Sequence, residues 1–194
     1  MSSIVLEAAI PHQTRRAAAE RFAATNAVSG RFFAEHADAI ARACQAMAVR
    51  FQQAGRLLVC GDGAQRSDVA HVVVEFVHPV VVGKRALPAL PLPDMESGAA
   101  RDALAALGRN GDVLLVLSAG ALHDSGRAIL VHARARGMLT IALTGAASES
   151  IPDAAHQFSV PSSDPCIVQE THEMLYHVLW ELVHVFFEHR TGSV

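Results

Sequence analysis

The chain has 194 residues, enough for one domain with its own buried core. Hydrophobic residues make up 51% and charged residues 18%, which excludes disorder as its general state. The net charge of −3 excludes nucleic-acid binding by bulk charge, and Lys84 is the only lysine among 16 basic residues.

The opening stretch MSSIVLEAAIPHQTRR lacks the basic-then-apolar order of a signal peptide. No proline interrupts Ala17 to Ala54, and apolar residues recur at helical spacing through Phe32, Phe33, Ala37, Ile40, Cys44, Met47, Val49 and Phe51. This predicts two helices divided at Gly30, the second ending at Ala54-Gly55. Short apolar runs then alternate with helical stretches. Strands are predicted at Leu57 to Cys60, Pro88 to Leu92, Val113 to Leu117, Leu139 to Leu143 and Gln157 to Val160. Helices are predicted over 65–77, 99–107 and 124–136, with a long last one from Ile167 to His189. Unbroken apolar strands alternating with helices indicate an α/β fold: a three-layer, doubly wound, five-stranded parallel sheet with an N-terminal helical extension. A single domain over 1–194 is expected, 1–55 forming the extension and 56–194 the α/β core.

The longest apolar stretch, Val69 to Val82, is broken by His71, Glu75, His78 and Pro79, so no membrane-spanning segment is expected. Cys44, Cys60 and Cys166 are odd in number and widely spaced. They predict a reducing, cytoplasmic location rather than a disulfide framework, with Cys60 as a buried apolar cysteine.

Ligands of such sheets bind beyond the carboxyl ends of the strands. Three loops there are legible: Gly61–Ser67, Ser118–Ser125 and Thr144–Ser150. Two apolar helices also carry polar residues with a common spacing. His71 and Glu75 lie four apart, about 40° around a helix, among valines. Gln169 and His177 lie eight apart, close to two turns, on the last helix. Together the four offer imidazole and oxygen ligands suited to zinc, Zn²⁺. The same set suits acid/base transfer of a proton between adjacent carbons of a sugar, or consists simply of satisfied polar groups. Of the remaining histidines, His78 before Pro79 is expected to end its helix. His184 and His189 are expected at the solvated end of the last one.

The run from Cys60 to Glu75 resembles the first loop and helix of phosphoheptose isomerases, C-G-N-G-G-S followed by D-A-x-H-x-x-x-E. These are proteins of the sugar isomerase (SIS) fold. Ser162-x-Asp164, Gln169-Glu170-Thr171-His172 and His177 resemble the family's closing pattern. Gly111-Asp112-Val113-Leu114-Leu115 and the Gly137 to Gly145 segment also match. The resemblance implies a flavodoxin-like parallel sheet and a cytoplasmic homotetramer with sites at subunit interfaces, its N-terminal helices serving oligomerisation. It implies aldose–ketose isomerisation of sedoheptulose 7-phosphate through an enediol. It also implies zinc at His71, Glu75, Gln169 and His177, with Glu75 and His177 as the catalytic proton-moving pair. Substrate contacts fall on Asp62, Gly63, Gln65, Ser118, Ala119, Gly120 and His123, which would hold a sugar or sugar phosphate. No direct contact with nucleic acid or membrane is expected.

The chain departs from the family in places that bear on its ligand. Gln65 replaces a serine and Asp62 an asparagine. The family's phosphate loop S-T-S-G-N-S reads Ser118-Ala119-Gly120-Ala121-Leu122-His123. Each lost hydroxyl removes a charge-assisted hydrogen bond of roughly 1.5–3 kcal/mol. A Gly-Arg pair becomes His78-Pro79, and the stretch from Asp94 to Gly111 is shorter by on the order of ten residues, a loop-sized change. The alternative is therefore a divergent SIS protein without heptose-phosphate turnover. Such a protein would bind a metal or ligand, or act as a regulatory tetrameric scaffold like the relatives that associate with the bacterial replication initiator.

Overall fold

The computed structural model describes residues 11–79, 81–146 and 149–191, with side chains through 188. The chain begins with one 41-residue helix, α1 (His12–Gln52), where two were predicted. Gly30 does not break it. Gly30 faces open space, and a glycine in a helix interior costs only about 1 kcal/mol relative to alanine, less than a new pair of helix ends. The predicted apolar face packs inward except at Ala37, which is exposed. Residues 11–20 are all exposed, and the first buried position of α1 is Ser29. The helix stops where Ala54 turns left-handed at φ 64° and Gly55 N–H caps the Arg50 carbonyl at 2.8 Å. Gly55 is required there, since a Cβ would stand 2.4 Å from the Gly111 carbonyl oxygen.

The remaining elements follow in alternation. They are β1 (Leu57–Gly61), α2 (Arg66–Val77), β2 (Ala89–Pro91), α3 (Ala99–Leu107), β3 (Val113–Leu117), α4 (Asp124–Ala135), β4 (Leu139–Thr144), β5 (His156–Ser159) and α5 (Pro165–Thr191). The predicted strands and helices recur with ends shifted by one or two residues. All strand pairs are parallel, in the order β2-β1-β3-β4-β5.

Alternation along each strand sorts the core into two layers. Leu57, Val59, Val113, Leu115, Leu117, Ile141 and Leu143 pack against α1, α2 and α5 through Met47, Phe51, Val72, Phe76, Tyr176 and Trp180. Leu58, Cys60, Leu114, Val116 and Ala142 face α3 and α4 through Leu104, Ile129, Leu130 and Ala133. Full burial of one such aliphatic side chain is worth about 1.5–3 kcal/mol, so both layers hold the sheet. Among the described residues no helix is long and apolar enough to cross a membrane. The three cysteines are free, and burial pushes the thiols of Cys44 and Cys60 up to about 12.

The start of α5 explains the Ser162-x-Asp164 pattern locally. Asp164 Oδ1 accepts from the backbone N–H groups of Cys166 at 2.9 Å and Ile167 at 3.4 Å, with Pro165 in the first turn. At the other end, His184 is not on a solvated helix terminus as predicted. It is 2% exposed, with Nδ1 2.8 Å from the Trp180 carbonyl oxygen and Nε2 3.0 Å from that of Arg85. The segment before β2 folds over it, a contact that helical periodicity does not encode. The side chain of His189, residues 1–10 of the opening stretch and residues 147–148 of the third loop lie outside the described residues.

A candidate metal and proton-transfer site

The i, i+4 spacing on α2 sets His71 and Glu75 on one face, and α5 lies against that face with His177. His71 Nε2 is 3.4 Å from Glu75 Oε1 and 3.4 Å from His177 Nε2, and His177 Nε2 is 3.9 Å from the same Glu75 oxygen. Three donor atoms at these separations share a point about 2.1 Å from each, the reach of zinc to nitrogen and oxygen ligands. The Glu75 side chain is 14% exposed, whereas His71 and His177 stand at 36% and 42%, leaving the cluster open on one side. It is the one grouping of His, Cys, Asp and Glu among the described residues with converging ligand atoms.

The fourth predicted residue, Gln169, is turned to a neighbour. Its Nε2 donates to Asp68 Oδ1 at 3.1 Å, across from α5 to α2. Burial pushes the Asp68 carboxyl up; the Gln169 hydrogen bond opposes this, the Glu173 carboxylate adds to it, and His71 opposes it.

Three residues at this site were assigned no role from the sequence. Asp68 is one. Tyr176 is the second: it is fully buried, and its hydroxyl lies 2.9 Å from His71 Nδ1. Burial raises its pKa, with the carboxylates of Asp68, Glu173 and Glu75 adding to the effect, so the phenol keeps its proton. Glu173 is the third, its Oε1 3.6 Å from the same Nδ1. The available signal was spacing: Glu173 precedes His177 by four residues, the reverse of the His71 to Glu75 pattern.

A cleft of about 650 Å³ opens beside the cluster, lined by Phe22, Thr25, Glu170, Glu173, Met174 and His177. On its α1 side Arg21 pairs with Asp164 at 2.5 Å and with Glu170 at 3.4 Å, and Thr25 donates to Glu170 at 2.6 Å.

The predicted substrate residues stand at the carboxyl ends of β1 and β3, neighbouring strands. Ser118 Oγ, nearly fully buried, donates to Asp62 Oδ2 at 2.6 Å and reaches the Ala121 carbonyl at 3.4 Å. Gln65 is buried, while Gly63, Gly120 and His123 are exposed and Ala119 is half-buried. Gly145, after β4, packs so tightly on this loop that a Cβ would stand 2.2 Å from the Ala119 carbonyl oxygen. Among the described residues no hydrogen bond or ion pair joins this loop pair to the His71 cluster. The structure therefore brings together three of the four predicted ligands.

Residues 21–145 match the SIS domain family. The phosphoheptose isomerase of Solidesulfovibrio magneticus is 31% identical over 180 residues, covering 84% of this chain and 86% of that protein. The chain belongs to the phosphoheptose isomerase family of SIS-domain proteins. The family enzyme of Thermodesulfovibrio yellowstonii is 33% identical over 176 residues, covering 83% of this chain and 87% of that one. The fold agrees with a solved family structure, a phosphoheptose isomerase from Francisella tularensis, at a TM-score of 0.74 and 23% identity over 90% of this chain and 98% of that chain.

Proposed function

We propose that the chain is an aldose–ketose isomerase of a sugar phosphate, of the sedoheptulose 7-phosphate type, holding zinc at His71, Glu75 and His177 with Gln169 nearby. The observation that carries this reading is the shared reach of the three donor atoms, from two helices remote in sequence. Bound zinc would act as a Lewis acid on the carbonyl and hydroxyl oxygens of the sugar.

The chain's own residues account for the proton. In an aldose–ketose shift one carbon gives up a proton, the electron pair becomes the enediol double bond, and the neighbouring carbon takes a proton back. The Glu75 carboxylate, shielded from bulk water, is placed to accept and return that proton on the oxygen that the ion leaves free. His177, on the open rim, would move the second proton between the two oxygens through the ring nitrogen that the ion leaves free. Asp62, Gly63, Gln65, Ser118, Ala119, Gly120 and His123 would hold the distal end of the sugar, at the strand ends where such sheets bind ligands.

The exposed first turns of α1 and its exposed Phe22 support assembly through residues 1–55, with a second copy completing the open cleft in a homotetramer. Unpaired cysteines support a cytoplasmic location.

One observation favours a second reading. Asp62 already takes the hydrogen bond of Ser118 and places a carboxylate where a phosphate would approach, which fits a metal- or ligand-binding scaffold without heptose-phosphate turnover. Incubation of the zinc-loaded protein with sedoheptulose 7-phosphate separates the two. Isomerisation that is lost in Glu75→Gln supports the enzyme; turnover no greater than that of the variant leaves the scaffold.

A further inference from the structure

Tyr176 has no room to move: it is fully buried, and its ring meets those of His71 and His177 edge-on at 5.2 and 5.0 Å between centroids. Its hydroxyl lies 2.9 Å from His71 Nδ1, and Glu173 Oε1 stands 3.6 Å from the same nitrogen. A neutral imidazole has a single N–H. An ion held at Nε2 leaves that N–H on Nδ1, where the phenol oxygen at 2.9 Å is placed to accept it and the acceptor-only carboxylate at 3.6 Å favours it electrostatically. Nε2 then keeps its lone pair, and Nε2 is the atom that faces Glu75 and His177.

We propose that Tyr176, assisted by Glu173, is a positioning residue for the metal cluster, holding His71 in the ring orientation and tautomer that turn an unprotonated Nε2 to the ion. Neither residue is a position of the motifs that carry the family resemblance. The inference rests on the zinc reading of His71, Glu75 and His177. Outer partners of this kind matter to metal affinity by about 10–100-fold in other sites.

The test is competition of chelator-stripped protein with a chromophoric chelator for zinc, using wild type, Tyr176→Phe, His71→Ala and the double variant. Tyr176→Phe is expected to weaken zinc binding about tenfold while the stripped protein melts as wild type does. It is expected to add nothing in the His71→Ala background. Cobalt-loaded Tyr176→Phe should show shifted visible absorption bands. Glu173→Gln, at a half-exposed position, is expected to weaken binding in the same direction and covers the case in which phenylalanine disturbs packing. Wild-type affinity in both single variants overturns the inference, as does an equal loss from Tyr176→Phe with and without His71. Wild-type protein that takes up no zinc overturns the metal reading itself, a result distinct from zinc uptake that ignores Tyr176.

Discussion

Ser118 donates its hydroxyl to the Asp62 carboxylate across 2.6 Å, joining the carboxyl ends of β1 and β3. In a phosphate-holding loop that hydroxyl would point at a ligand oxygen, and a carboxylate beside it would repel the anion. Asp62→Asn removes the charge and frees the serine to donate elsewhere. Sedoheptulose 7-phosphate and inorganic phosphate are both expected to bind about tenfold more tightly to the variant, in line with one charge-assisted hydrogen bond. Titration calorimetry of the two proteins reads this directly; equal affinities would mean that Asp62 does not face the anion.

Asp112 is the structural counterpart of that pair. It is 2% exposed and accepts from Arg56 N–H at 2.9 Å, Arg56 Nε at 3.3 Å, Arg56 Nη2 at 2.6 Å and Arg109 N–H at 3.0 Å. These bonds tie the start of β1 to the start of β3. Removing the carboxylate leaves the backbone N–H groups of Arg56 and Arg109 without their acceptor, at a cost of about 1–3 kcal/mol each. Asp112→Ala is therefore expected to lower unfolding free energy by about 3 kcal/mol in urea, with an unchanged m-value. A loss under about 1 kcal/mol, the size of an exposed pair, would contradict this.

Acid stability is expected to depend on His172. It is fully buried, with Nε2 3.2 Å from the Thr144 carbonyl oxygen, and burial lowers its pKa to about 4. Below pH 6.5 the unfolded chain takes up a proton that the folded chain refuses until about 4, so stability is complete above 6.5 and falls as pH drops through that window. The loss amounts to roughly 3 kcal/mol, less whatever local relaxation recovers. Burial lowers His156 in the same direction, while Asp68, shifted upward, acts oppositely at lower pH. Urea unfolding at pH 7 and pH 4.5 should show a smaller difference for His172→Gln than for wild type. Identical slopes would assign the acid sensitivity elsewhere.

Local order in the chain determined much of this protein. Strand runs such as Val113 to Leu117 are apolar throughout because both faces are covered, and the 3.6-residue period of α2 pairs His71 with Glu75 whatever surrounds them. Both are properties of consecutive residues, so they were legible, as were the strand-end loops. Tertiary packing decided the rest. Whether His177 meets His71, whether Gln169 turns to Asp68, and that Tyr176 backs the cluster depend on how α5 crosses α2, about a hundred residues away in sequence. Gly30 stayed helical because one interior glycine costs less than a new pair of helix ends, and His184 was buried by a loop that no periodic pattern could place. Periodicity says which face of an element is apolar; only the packed structure says what lies against the polar groups on it.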